Sequence, residues 1–188
     1  MKNIYKISAI VLFSFTMVIS SCKKQEQIIE GCTDSTATNY QSLATSNDGS
    51  CIFAYDIAQG LWNIETTCQE LTISIPVLGD FSVPLNDMFP NTVEITGEGA
   101  GVISMDINGE NVLADVAYDG TVTIQDGQKI SFDTSSFDPT GVIGVVDVDI
   151  TGSGKIETST NGDLTLNLAF EVPLAGTQSS SCEITFAK

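Results

Sequence analysis

The sequence contains no histidine and no arginine, and its 7 basic side chains, all lysine, face 24 acids. Each absence removes a class of chemistry. Without His there is no Ser-His-Asp or Cys-His pair, no His metal ligand and no ordinary proton shuttle near neutral pH. Without Arg there is no planar fork for phosphate or carboxylate. The acid excess repels nucleic acid, so no nucleic-acid partner is expected. No C-x-x-C knuckle is present, which argues against a zinc site built on cysteines. Thr151-Gly152-Ser153-Gly154 is not a phosphate loop, because no G-K-[ST] follows and no helix start is evident; it reads as a bulge or bend in a strand. Ser179-Ser180-Ser181 lacks a nucleophile elbow and an activating base. No enzyme activity, cofactor or metal is expected from these residues.

The first residues read as a targeting signal. Lys2 and Lys6 give a positive start, and Ile7 to Ile19 is almost wholly apolar but too short for a stable bilayer-spanning helix. Small residues follow, then a cysteine. Ile19-Ser20-Ser21-Cys22 resembles the lipobox of bacterial lipoproteins. That resemblance implies cleavage after residue 21, a diacylglycerol on the Cys22 thiol and an acylated new N-terminus. The alternative is an ordinary secretory signal that happens to end in Cys. Two or more acyl chains anchor a protein stably, so the membrane is the expected partner. The residue after Cys22 is Lys23 rather than the Asp of an inner-membrane retention signal, which implies the outer membrane, with surface exposure open. Residues 22–30 read as a polar tether.

Removal of the signal would leave 5 lysines against 24 acids, a net charge of −19. Such acidity keeps an exported protein soluble and by itself names no cationic partner. Four cysteines remain: Cys32, Cys51, Cys68 and Cys182. An even number in an exported chain implies disulfides. Of the possible pairings, Cys32–Cys51 closes a local loop, and Cys68–Cys182 would tie the first strand of the main domain to the last. In the simple entropic account, a loop as long as the second is worth about 4–5 kcal/mol.

Gly31-Cys32-Thr33-Asp34, Ala37-Thr38-Asn39-Tyr40 and Asp48-Gly49-Ser50-Cys51 together resemble a short Cys-looped module of exported proteins in aquatic Gram-negative bacteria. The segment, taken as residues 31–55, is too small to bury a sizeable core and needs its bridge as a staple. Tyr40, Ile52 and Phe53 are expected to cover that bridge. Asp34, Asn39 and Asp48 offer oxygens that calcium could use, but the spacing is not that of an EF-hand, and turn capping is the preferred reading. The module reads as a spacer between lipid and main domain.

Residues 56–188 read as all-β. Asn108-Gly109, Asp119-Gly120, Asp126-Gly127 and Asn161-Gly162 are hairpin signals. Alternating runs lie between them: Ile103, Met105 and Ile107; Val112, Ala114, Val116 and Tyr118; Val122 and Ile124; Ile130 and Phe132; Val146, Val148 and Ile150; Leu164 to Val172; Ile184 and Phe186. Period-two alternation puts each set on one face. The pattern predicts an antiparallel up-and-down meander that hides its edges by closing into a barrel of roughly eight to ten strands, with a β-sandwich as the alternative. Leu78 to Phe89 breaks the pattern and reads as a loop with one helical turn, a lid over the barrel mouth. Asp147 and Asp149 share a strand face opposite Val146, Val148 and Ile150. A carboxylate pair could serve hydrolysis or calcium, but this face is expected to be solvated.

Gly60-Leu61-Trp62 resembles the G-x-W that opens lipocalin-type (calycin) barrels, and the order of strands with a late Cys is similar to small lipocalin-like bacterial lipoproteins. The resemblance implies a Trp packed across the closed end of the barrel. The arginine that lies over that Trp in the family has no counterpart in a chain without Arg. It also implies a non-enzymatic barrel that takes a small apolar or amphipathic ligand. The alternative is a surface-interaction or adhesion module with no small-molecule ligand.

Overall fold

The computed structural model describes residues 27–76, 79–135, 138, 141 and 143–188. The expected signal segment and Cys22 lie outside these residues, as does Leu78.

The chain first forms a small stapled segment. Strands β1 (Glu30–Gly31) and β2 (Ser46–Asn47) pair in parallel, and the Cys32–Cys51 bridge closes the loop between and beyond them. A short helix, α1 (Ala54–Ala58), follows and spans the point where module and barrel were divided in sequence.

Next comes the barrel. In chain order its strands are β3 (Gly60–Cys68), β6 (Thr92–Gly99), β7 (Val102–Ile107), β8 (Glu110–Val116), β9 (Thr121–Ile124), β11 (Val145–Ile156), β12 (Asn161–Val172) and β13 (Gly176–Ala187). Each pairs antiparallel with the next, and β13 pairs back onto β3. The sheet is thus a closed eight-stranded up-and-down barrel, with β10 (Lys129–Asp133) as an additional strand on β11. The sandwich alternative is set aside by this closure. The Cys68–Cys182 bridge joins residues that stand opposite each other in the β3–β13 ladder, where first and last barrel strands meet.

The alternating runs turn their apolar members inward, except Tyr118, which lies beyond the end of β8 and is exposed. Leu164, Leu166, Leu168, Phe170 and Val172 are all buried, and the residues between them on β12 are outside. Eight strands leave an interior that side chains can fill, and here one continuous apolar core does so. Gly154 has a specific reason to be glycine. It stands opposite Leu164 in the β11–β12 ladder, where a Cβ would run into the Asp163 carbonyl and Leu164 Cα. The Thr151–Gly154 stretch is therefore not a bulge: the β11–β12 register runs through it without a break, and its glycines allow close backbone approach.

The hairpin signals fare unevenly. Asn108-Gly109 forms the two-residue turn expected, with both φ positive. Asp119-Gly120 lies in a longer turn between β8 and β9, and Asn161-Gly162 begins β12 rather than turning the chain. Asp126-Gly127 is not a hairpin. Strands β9 and β10 do not pair with each other; both run along β11, and residues 125–128 interrupt a single barrel edge. The Gln125 amide donates to the Leu113 carbonyl on β8, while the Gln128 carbonyl accepts from Ile150 on β11. A two-residue turn absent from the expected set, Ala100-Gly101, joins β6 to β7 with both φ positive.

The segment between β3 and β6 also departs from expectation. It is a hairpin, β4 (Leu71–Ile75) with β5 (Gly79–Val83), followed by a 3₁₀ turn at Leu85–Met88. The single helical turn was foreseen; the strands were not, because Pro84, Asp87 and Met88 read as loop.

Candidate functional site

The two ends of the barrel differ. One end is closed by α1, which packs against β6, β7 and β11. Gly97 on β6 makes room for it, since a Cβ there would meet the Tyr55 hydroxyl and the Gln59 side chain. The Gly99 amide donates to the Tyr55 hydroxyl oxygen at 2.8 Å. Trp62 is fully buried beneath this cap. Its indole N–H donates to the Ala58 carbonyl at 2.7 Å, and its ring meets Phe186 edge-on at 6.1 Å between centroids. The Lys188 ammonium lies 4.1 Å from the Trp62 ring centre and donates to the Ile57 and Gln59 carbonyls at 2.9 and 2.7 Å. Burial pushes this ammonium below the usual lysine value, while the ring face and both carbonyls favour its charged form. Trp62 is thus the floor of the barrel, and a lysine sits over it.

The other end carries the β4–β5 hairpin. Ile73, Ile75, Val83 and Leu85 of this excursion are buried and belong to the barrel core. Among the described residues the hairpin forms its own two-stranded sheet and pairs with no barrel strand. Polar fasteners hold its base. Asn86 Oδ1 accepts from the Cys68 amide, and Asn108 Nδ2 donates to the Met88 carbonyl, each at 2.7 Å. Phe89 meets Phe132 of β10 edge-on at 5.6 Å. Between the hairpin and the wall remains a cavity of about 20 Å³, lined by Ile73, Val83, Leu85, Met88, Phe132 and Phe170 among others. That is room for about one water, in surroundings that are nearly all apolar.

The Thr66 hydroxyl, on a β3 position that alternates with buried Trp62, is buried without a hydrogen-bond partner among the described residues. A buried unpaired hydroxyl costs about 1–3 kcal/mol. No motif pointed to it.

Asp147 and Asp149 face solvent. Asp149 pairs with Lys129 at 2.9 Å, and Asp147 accepts from the Ser131 hydroxyl at 3.1 Å. The hydrogen bond to Asp149, then its charge, raises the Lys129 pKa. Each carboxylate thus has an ordinary surface partner, on the outer wall of the barrel. Ser179, Ser180 and Ser181 lie in β13.

In the stapled segment the acids cap turns. Asp34 accepts from the Thr36 amide and hydroxyl at 2.9 and 2.7 Å, and Asp48 accepts from the Ser50 amide at 2.9 Å. The Thr36 bonds lower the Asp34 carboxyl pKa, and the Ser50 side chain, then its amide, lowers that of Asp48. Asn39 spans the loop, donating to the Ser50 carbonyl and accepting from the Ile52 amide at 2.6 and 2.8 Å. Among the described residues no group of three or more His, Cys, Asp or Glu could hold a metal. Tyr40 and Ile52 remain 45% and 46% exposed, while Cys32 of the bridge is fully buried. Among the described residues no helix is long and apolar enough to cross a membrane.

Compared with known protein families and curated proteins, the chain matches no family model and no curated sequence.

Proposed function

We propose that this chain is an exported lipoprotein, held to the outer membrane by acyl chains on Cys22, whose lipocalin-like barrel takes a small apolar or amphipathic ligand without catalysing a reaction. The observation that carries the ligand reading is the plugged mouth. The β4–β5 hairpin belongs to no barrel strand pairing, yet it fills the open end with Ile73, Ile75, Val83 and Leu85. Lifting it would uncover an apolar cup whose far end is the fixed floor at Trp62. A ligand with an apolar body would replace the hairpin side chains against the same walls. The Thr66 hydroxyl would supply a polar contact for an amphipathic one.

A second reading, a surface-interaction module without cargo, draws support from the filled interior. A cavity of about 20 Å³ is far below the ~300–1,000 Å³ of ordinary ligand sites. Native mass spectrometry of the protein extracted from its own membrane separates the two. An added mass that leaves on denaturation supports the ligand reading and identifies the compound. A mass explained by polypeptide, acyl chains and two disulfides favours the surface module. A Cys22 without acyl chains defeats the anchoring half of the proposal.

A further inference from the structure

We infer that the barrel's ligand is an uncharged amphiphile whose hydroxyl or carbonyl head group bonds to the Thr66 hydroxyl, and that ionised amphiphiles are excluded. The inference deepens the ligand reading above and rests on it.

Strand alternation places Thr66 inside. It shares a face of β3 with Trp62, and its neighbours on that face, Ile64 and Cys68, both pack against the core. Across the ladder it stands opposite buried Ile184. The wall on its other side is incomplete, because the β3–β6 ladder ends at Asn63. Past that point the Ile64 amide donates to the Asn91 carbonyl at 2.9 Å, and the Cys68 amide donates to Asn86 Oδ1 at 2.7 Å. Thr66 lies between these two fasteners, its hydroxyl oxygen buried and without a partner among the described residues. A hydroxyl both donates and accepts, so it can serve an alcohol or a carbonyl. The 3₁₀ turn Leu85–Met88 packs on β3, and its Leu85 and Met88 line the small cavity at the mouth. Lifting the hairpin together with this turn would open the cup as far as Thr66.

The charges of the chain then select the head group. There is no arginine or histidine, and Lys2, Lys6, Lys23 and Lys24 lie outside the described residues. Of the remaining lysines, Lys129 pairs with Asp149 on the outer wall and Lys155 is exposed on β11. Lys188 is held by the Ile57 and Gln59 carbonyls at the closed end. Among the described residues no cation faces the cup to receive an anionic head, and the net charge of −17 opposes one further. A cationic head fares no better. The one buried acid among the described residues, Asp138, is already engaged by the Ile143 amide at 2.7 Å. An ionised head group without a partner is far more costly to bury than a neutral one.

The test uses the full-length chain in phosphatidylcholine vesicles that carry decanol, decane, decanesulfonate or decylammonium at one mole fraction. A probe that binds only the folded barrel raises the urea midpoint of Trp62 emission. We expect decanol to raise it furthest, with an apparent affinity about tenfold above that of decane, and the two ionised probes to leave it unchanged. Thr66→Val removes the hydroxyl with little change of shape and should bring decanol down to the level of decane. Thr66→Ser keeps the hydroxyl and should keep the advantage of decanol. The midpoint of each variant without probe checks its fold. An ionised probe that matches decanol, decane that matches it in the parent, or an advantage of decanol that survives in Thr66→Val overturns this inference and leaves the ligand reading standing. No shift with any of the four probes overturns both.

Discussion

The Lys188 ammonium and the Trp62 indole form one assembly at the barrel floor, 4.1 Å apart, although 126 positions separate them in the chain. The ammonium also ties β13 to the carbonyls of Ile57 and Gln59. It thus joins the last strand, the cap helix and the first barrel strand in a single contact.

Replacement of Lys188 should therefore be felt throughout the closed end. Lys188→Met keeps the aliphatic stem and loses the charge, at an expected cost of about 0.5–2 kcal/mol from the ring and carbonyl contacts. Lys188→Arg should retain most of it. Urea unfolding followed by Trp62 emission reads both. Equal stability of Lys188→Met and the parent would remove the ammonium from the account of the floor.

The barrel bridge should matter more than its small area suggests. Cys68 and Cys182 are 114 residues apart, so their link constrains a long loop in the unfolded chain. Replacing both with Ser is expected to cost about 4–5 kcal/mol in the entropic account. The same exchange at Cys32 and Cys51, 19 residues apart, should remove about 3 kcal/mol from the stapled segment. If barrel unfolding is insensitive to loss of Cys68–Cys182, the strand pairing alone closes the sheet.

Gly154→Ala should destabilise the barrel by about 1–3 kcal/mol, because the new Cβ meets the Asp163 carbonyl across the ladder. A thermal melt in which the variant matches the parent would show that β11 and β12 can part without cost.

The mouth offers a fourth measurement. Ile73→Ala removes part of the hairpin plug and enlarges the existing gap of about 20 Å³. We expect a loss of about 2–4 kcal/mol and a new site for an apolar fluorescent dye. Dye binding no greater than in the parent would mean that the mouth collapses onto the space.

Acid should act through the turn carboxylates. Asp119 and Asp133 accept from Thr121 and Ser135, and these bonds set their folded pKa values below the ordinary 3.8. For such groups the stabilisation is present above the unfolded value and is lost as pH falls through the folded value. Stability should therefore decline below about pH 3.8. The Asp119→Asn, Asp133→Asn double variant keeps an acceptor oxygen at each turn and should show a flatter acid limb with little change at pH 7. Denaturant midpoints between pH 7 and pH 2 check the slope; identical slopes would assign acid sensitivity to other groups.

Strand faces were legible in the sequence because alternation is a local property. Leu164 through Val172 point inward as their spacing requires, and both cysteine pairs follow from loop and strand position. Turn chemistry was less legible. Asp126-Gly127 has hairpin residues, but β11 is long enough to take β9 and β10 on the same edge, and the pair becomes an interruption. Ala100-Gly101 turns the chain with a residue that seldom takes positive φ. The lysine over Trp62 could not be found by motif, because a lysine so distant in sequence carries no local sign of its neighbour. Nor could alternation show that the interior is filled: it says which way a side chain points, not whether the space it enters has room to spare.

Closure of the sheet by β13 on β3 also sets an order in time. β3 is made early, and its partner along Asn63 to Cys68 arrives only after nearly all of the intervening strands. Until then the meander has two open edges, each able to pair with another chain. Such distant pairing makes folding slow, so the growing polypeptide stays soft and threadable for most of its synthesis. Were the chain exported as proposed, that delay would leave a pliable polypeptide to be passed across a membrane before its ends lock together on the far side.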